Sequence, residues 1–358
     1  MKKRADAALI FALLAALGAA SFAGGAAAAK DRVCKGGVFS VYLENDLFHR
    51  TDRNYTSGVK LAWVSPDLKK FEDAKCLPLW LESAEQAVRN GFELKFAEEA
   101  DERNLVATIG QEMYTPGDGT RKDLIRSDRP YAGWLYLGLG YNERRGERTA
   151  STGRLDSFEL KLGMVGPASL AREAQHLIHD LRSFPRFQGW DNQLHNEPGL
   201  QAIWEHKLKR KIGNTNRADL IGHVGASVGN VATYLNAGVE LRLGADVPED
   251  FGSSPLRPAG NNTSPGAWSA ASGKEWHAHL FAALDARVVA RDIFLDGNTF
   301  VHSHRVHKRP LVADLAIGVA GFAYGWKFSV ARVFRSTEFD GQGSRHSYGS
   351  FTVSYAFE

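Results

Sequence analysis

The chain has 358 residues, 44% hydrophobic and 24% charged, with 36 Gly and only 12 Pro. That composition excludes a disordered tail and suits one or two folded domains. The formal net charge is +3, and removing residues 1–29, with Lys2, Lys3, Arg4 and Asp6, lowers it to +1, so charge gives no support to a nucleic-acid partner.

Residues 1–29 read as an export signal: a basic start at Lys2, Lys3 and Arg4, an apolar stretch over 7–23, and small residues ending at Ala27-Ala28-Ala29. The mature chain is expected to begin near Lys30, with cleavage after Ala23 as the alternative. Cys34 lacks the Leu-x-Gly/Ala-Cys setting of a lipoprotein, so no acyl anchor is expected. Downstream there is no run of about 18 apolar residues, which excludes spanning helices and leaves strands for any membrane role.

Twelve candidate strands follow, near 37–46, 55–65, 104–112, 131–143, 154–165, 197–208, 218–229, 233–244, 275–289, 311–322, 326–335 and 347–357. Alternation is clearest in Phe158-Glu159-Leu160-Lys161-Leu162-Gly163-Met164 and in Phe351-Thr352-Val353-Ser354-Tyr355-Ala356-Phe357. A water-soluble sandwich would show the same alternation. The even count, the strand lengths near the roughly 9–11 residues needed to cross a bilayer, and aromatics near strand ends (Tyr42, Trp63, Trp134, Tyr141, Trp204) favour an all-β, twelve-stranded antiparallel transmembrane barrel over residues 30–358. The compartment this implies is the Gram-negative outer membrane.

With a periplasmic N-terminus, the loops after the odd strands share the outer face: 47–54, 113–130, 166–196, a tight Gly229-Asn230 turn, 290–310 and 336–346. Cys34 and Cys76 then both fall at the periplasmic rim, where a disulfide is the favoured reading and two unpaired thiols the alternative.

Three polar clusters land on the outer face. Glu44-Asn45-Asp46 tops the first strand and Asn54-Tyr55-Thr56-Ser57-Gly58 opens the second. These hard oxygen donors would suit calcium, although turn chemistry alone also explains them. The second cluster carries Arg121, Lys122, Arg126, Asp128 and Arg129, able to hold the phosphates or acidic sugars of a lipopolysaccharide, or simply a solvated loop. In the third, Pro167 can open a helix whose periodicity runs over 168–182. Its expected apolar face is Leu170, Ala174, Leu177 and Leu181, opposite Arg172, Glu173, His176, His179 and Asp180. His176 there is a candidate general base, against the reading of a solvated surface histidine.

Other matches are set aside. Gly225-Ala226-Ser227-Val228-Gly229 spells a nucleophile elbow but sits in a glycine-rich strand. His302, His304 and His307 share a basic loop with Arg305, Lys308 and Arg309, where positive charge disfavours a cation. His277 and His279 read as lumen residues, and Asn261-Asn262-Thr263 as a flexible connection.

The ordered set Glu44-Asn45-Asp46, Tyr55-Thr56-Ser57-Gly58, Gln111-Glu112-Met113-Tyr114-Thr115-Pro116, Ser127-Asp128-Arg129-Pro130-Tyr131-Ala132-Gly133, Gln175-His176 and Gly189-Trp190-Asp191-Asn192-Gln193 resembles the outer-membrane lipid A 3′-O-deacylase family across the mature chain. The resemblance implies a twelve-stranded barrel and calcium-dependent hydrolysis of the ester holding the 3′ acyl group. It matches His176 to the catalytic base, Asn45 and Asp46 to the first-strand pair with Asp46 and Asn45 at the metal, and Thr56 to the hydroxyl position. Lys122 or Arg121 matches a basic active-site residue, and Arg129 joins them as an expected substrate contact. Arg182 and Phe184 stand where the family has an acidic residue and a tyrosine, and 66–103, with an amphipathic segment at 79–88, resembles a periplasmic insertion. The implied partners are lipid A and outer-membrane lipids, and a monomer is expected. Competing readings are an outer-membrane phospholipase and a non-catalytic, porin-like barrel.

Overall fold

The computed structural model describes residues 37–45, 54–67, 100–146, 150–253, 276–343 and 346–357. The export signal, Cys34, Cys76, Asp46 and most of 66–103 lie outside the described residues.

Twelve antiparallel strands close a barrel in sequence order: β1 Gly37–Asn45, β2 Asn54–Val64, β3 Glu102–Thr115, β4 Ala132–Arg145, β5 Thr152–Val165, β6 Glu197–Lys211, β7 Ala218–Gly229, β8 Ala232–Gly244, β9 His277–Asp292, β10 Leu311–Ala323, β11 Trp326–Arg335 and β12 His346–Phe357. The ring closes between β1 and β12, from Gly37 opposite Phe357 to Asn45 opposite Gly349. Every expected strand is present. Strand ends differ by up to three residues: β3, for one, continues through Met113, Tyr114 and Thr115, because Tyr114 packs into the lumen and Met113 packs outward under the loop after β5.

Which face is buried separates this barrel from a soluble sandwich. In β5, Glu159 and Lys161 are 6% and 2% exposed while Leu160 and Leu162 are 40% and 56% exposed. The same inversion recurs around the wall at Leu137, Leu200, Leu235, Leu284, Ile317 and Val330, giving the apolar outer belt of a membrane barrel. Among the described residues no helix is long and apolar enough to cross a membrane, so the strands do the crossing.

The lumen is packed with paired charges. Lys207 meets Glu205 at 2.9 Å, Arg287 meets Asp314 at 2.7 Å, and Arg242 forks onto Asp219. Gly138 has no side chain because a Cβ there would stand 2.2 Å from the Thr108 hydroxyl and 2.7 Å from a Glu159 oxygen.

The two mouths differ. At the inner one, Tyr324 and Gly325, with φ of 52° and 77°, make the two-residue reversal between β10 and β11. Residues 245–253 fold back into that mouth, burying Asp250, Phe251 and Ser253. Asp250 accepts hydrogen bonds from Arg242 on β8 and Lys327 on β11, and Lys327 also donates to the Gly252 carbonyl at 2.9 Å. The outer mouth carries α1, Ala171–Arg182, and the single turn α2, Ile293–Asp296. α2 buries Ile293, Phe294 and Leu295, with Phe294 stacked on Tyr114 at 4.1 Å between centroids.

Candidate active site on the outer wall

Strand register places the candidate residues. Glu44 lines the lumen cavity beneath α2, so its neighbour Asn45 turns to the outside of the wall. Asn45 stands opposite Ser57, Ser57 opposite Met113, and Met113 opposite Gly133. These four share one outward-facing row across β1, β2, β3 and β4. At roughly 5 Å per strand step, Asn45 lies about 10 Å from Met113. A β-bulge between Tyr55 and Ser57 breaks the alternation at Thr56. The Thr56 hydroxyl shares a hydrogen bond of 2.7 Å with the Thr115 hydroxyl.

The loop after β5 lies on that row. It begins with a 3-10 turn, Pro167–Ser169, and enters α1 through Leu170 in a left-handed conformation (φ 58°). The helix therefore starts at Ala171 rather than at 168. It stops at Ser183, also left-handed, where the Phe184 N–H donates to the His179 carbonyl at 2.8 Å. Gln111 donates to the Ser169 carbonyl at 2.6 Å, and Ala171 packs with Met113, Tyr131 and Trp190. Only glycine fits at 133, since a Cβ there would approach the Ala171 Cβ and the Ser169 hydroxyl to 2.2 Å.

The contacts decide which face of the helix meets the wall. The wall-facing stripe is Ala171, Gln175 and His179, whereas Leu181 is 74% and Leu170 44% exposed. The polar side chains turn inward because each has a partner there. The Trp190 indole N–H donates to the Gln175 side-chain oxygen at 2.7 Å. His179 pairs its Nδ1 with the Pro185 carbonyl at 2.6 Å and meets the rings of Phe184 and Phe187 edge-on.

His176 occupies the next face of α1. It looks into a recess lined by Arg172, Arg186, Phe187, Gln188, Trp190 and Asp191. Its Nε2 is buried and has no hydrogen-bond partner among the described residues. Partial burial pushes its pKa below the ordinary histidine value; a hydrogen bond with the Phe187 backbone opposes this, and the positive charges of Arg186 and Arg172 reinforce it. The ring is therefore neutral at neutral pH, the form a base requires. Arg172 reaches Asp191 at 3.4 Å, and Arg186 reaches Asp180 at 2.7 Å.

The remaining candidates divide. The Lys122 carbonyl accepts from the Asn192 amide at 2.7 Å, and Gly189 would hold a Cβ only 3.0 Å from the Arg121 carbonyl. Both backbones are thus pinned against the segment walling the recess, and both side chains are exposed. Arg129 is instead 1% exposed, donating to Glu338 at 2.8 Å beneath the Tyr114 and Phe339 rings, and it ties two outer loops together rather than facing a surface ligand. Arg182 lies over the Phe184 ring at 5.2 Å. Gln175 and Trp190 were visible only as parts of longer motifs; their pairing spans 15 residues and leaves no periodic trace.

Of the motifs set aside, Asn261-Asn262-Thr263 lies outside the described residues, and the others stay outside the site. Gly225 lies within β7, His304 binds the Asp128 carbonyl, and His307 pairs with Asp340. A Ser253–His279 contact of 2.8 Å is buried in the inner mouth, away from the outer wall. Among the described residues no group of three or more His, Cys, Asp or Glu side chains is arranged to hold a metal.

The model of the family described as outer membrane protein LpxR matches residues 9–357. The chain belongs to the LpxR family. LpxR from Salmonella typhimurium has a similar structure, with a TM-score of 0.68 at 18% identity, covering 89% of this chain and 99% of that one. The KdgM porin aligns at a TM-score of 0.37 and 6% identity over 90% and 99% of the two chains. The NalP translocator domain from Neisseria meningitidis aligns at 0.39 and 11% over 98% and 99%. No curated protein matches by sequence. Membership of the LpxR family and the closed twelve-stranded barrel make this an outer-membrane protein.

Proposed function

We propose that this LpxR-family barrel is a lipid A 3′-O-deacylase, hydrolysing the ester of the 3′-linked acyl chain with His176 as the general base. The observation that carries this reading is the position of His176. It stands, neutral, on a helix seated at the Met113–Gly133 end of the outward row that also contains Asn45, with an unpartnered Nε2 in a recess beside exposed cations. His176 takes a proton from water as the water oxygen attacks the ester carbonyl carbon. The Asn45 amide and the Thr56 hydroxyl lie on the side where the oxyanion forms and donate to it. Collapse breaks the bond to the sugar oxygen, which receives the proton from the imidazolium, leaving a 3′-hydroxyl and a free acyl acid. Arg121 and Lys122 orient the phosphorylated sugar.

Calcium is the proposed cofactor, with Asn45 and Asp46 as its ligands. The donors described on this patch, the Asn45 amide oxygen and the hydroxyls of Thr56 and Ser57, are hard oxygens of the kind calcium takes. When bound, calcium would supply positive charge to the developing oxyanion.

Mass spectrometry of lipid A incubated with the purified barrel provides the test. Loss of the 3′ acyl mass is expected with calcium, not with chelator, and not with folded His176→Ala. Retained deacylation in that variant overturns the base assignment. Turnover of glycerophospholipid with lipid A untouched would make the enzyme a phospholipase instead.

A further inference from the structure

Helix α1 has three faces. Ala171, Gln175 and His179 meet the wall, Arg172 and His176 meet the recess, and Leu177 and Leu181 lie roughly 140° around the axis from the wall face, with Leu170 at the cap that leads into the helix. The third face has no protein against much of it: Leu181 is 74% exposed and Leu170 44%. Just beyond its end, Phe184 is also exposed. An apolar stripe at a 3.6-residue period is the face a soluble helix would bury.

Two observations indicate what covers it. The first is continuity with the lipid belt. α1 rests on the outside of the wall at Met113 and Gly133, and the outward row of β4 runs from Gly133 through Leu135 to the exposed Leu137 and Leu139. The helix therefore lies along the upper margin of the surface that contacts acyl chains. The second is charge. The exposed Arg182 and Arg186 stand at the C-terminal end of the stripe, on either side of the exposed Phe184, with Arg121, Lys122 and Arg126 on a neighbouring loop. Basic side chains beside a leucine stripe form the pattern of a helix lying in an anionic membrane interface.

We infer that α1 is an interfacial helix, its Leu170–Leu177–Leu181 face seated in the acyl chains of the outer leaflet and its arginines at the anionic headgroups. This goes beyond the proposed activity, because it concerns where the loop resides rather than what it cleaves. It also gives a physical reason for the way the helix is turned: the apolar side faces lipid, and the polar side finds its partners against the wall. A lipid already in the leaflet would then reach the His176 recess from the side.

Photo-crosslinking of the wild-type barrel in phosphatidylglycerol–phosphatidylcholine vesicles tests this without relying on catalysis. With a diazirine on the lipid acyl chain, the tryptic peptide 173–182 is expected to be labelled at Leu177 and Leu181, alongside outward strand residues such as Leu162. A headgroup diazirine is expected to label 182–186 instead. Leu181→Glu, checked for the heat-modifiable gel mobility of a folded barrel, should lose most of the acyl-probe label on α1 and keep it on β5. Acyl-probe labelling of the strands with none on 173–182 overturns the inference, whether water or a second protein copy covers the face. Loss of deacylation with labelling intact would sink the proposed function alone.

Discussion

At the scale of single residues, the protonation of His176 is the property most open to measurement. Burial and the nearby Arg186 and Arg172 hold its pKa below the ordinary value near 6.5, and the hydrogen bond with the Phe187 backbone only partly opposes them. A base works when deprotonated, so kcat/KM for deacylation should rise through an inflection below pH 6.5 and stay flat through neutrality. Arg186→Gln removes one depressing charge and releases Asp180, whose carboxylate Arg186 now holds below the usual range. Both changes favour the imidazolium, so the inflection should move up. A wild-type inflection at or above 6.5, or a downward move in the variant, contradicts this electrostatic account. Arg129 shows the limit of reading residues singly. Its basic side chain on an outer loop resembled a ligand contact, but its partner Glu338 lies 209 residues away and only the fold brings them together.

At the scale of elements, the strands were legible because alternation is local and each strand carries its own copy of it. The side of the alternation that is buried was not legible, since Glu159 and Leu160 alternate identically in a sandwich and in a membrane barrel. Only closure of the sheet, with Lys161 and Glu159 inside, separates the two. On α1 the apolar and polar faces were legible from periodicity, but which of them meets the wall was not, since the buried side carries Gln175 and His179. His176 and Asn45 were singled out through ordered motifs, but the Gln175–Trp190 bond that binds the recess wall to the helix was not legible. The seat of α1 predicts its own test. Gly133→Val places methyl groups where Ala171 and Ser169 already stand, while the β3–β4 backbone hydrogen bonds remain available. The barrel should keep its folded gel mobility, and deacylation should fall about 100-fold, the scale expected for an ångström of misplacement at a reacting group. Undiminished turnover would show that α1 does not position the base.

At the scale of the whole molecule, the question is whether the barrel also conducts. Its lumen is crossed by buried ion pairs, and residues 245–253 are anchored in the inner mouth through Asp250, which joins Arg242 to Lys327 across the barrel. A lumen filled in this way suits the proposed activity, which would lie on the outer wall and has no need of a pore. Wild-type protein in a planar bilayer should therefore show no steady single-channel current. Asp250→Ala leaves two buried cations without their shared carboxylate, a loss of about 3–5 kcal/mol when one partner of a buried pair is removed. That is enough to free the loop, and intermittent openings should appear. Acid should be far less effective than the mutation. Burial alone would raise the Asp250 pKa, but Lys327 and then Arg242 outweigh it and hold the carboxyl well below the usual range. A carboxylate depressed in the folded state contributes its full stability above its unfolded pKa near 3.9 and loses it only as pH falls towards the folded value. Current should therefore stay absent at pH 5 in the wild type. Steady wild-type conductance at neutral pH would restore the porin reading, whereas openings confined to Asp250→Ala would identify 245–253 as the stopper.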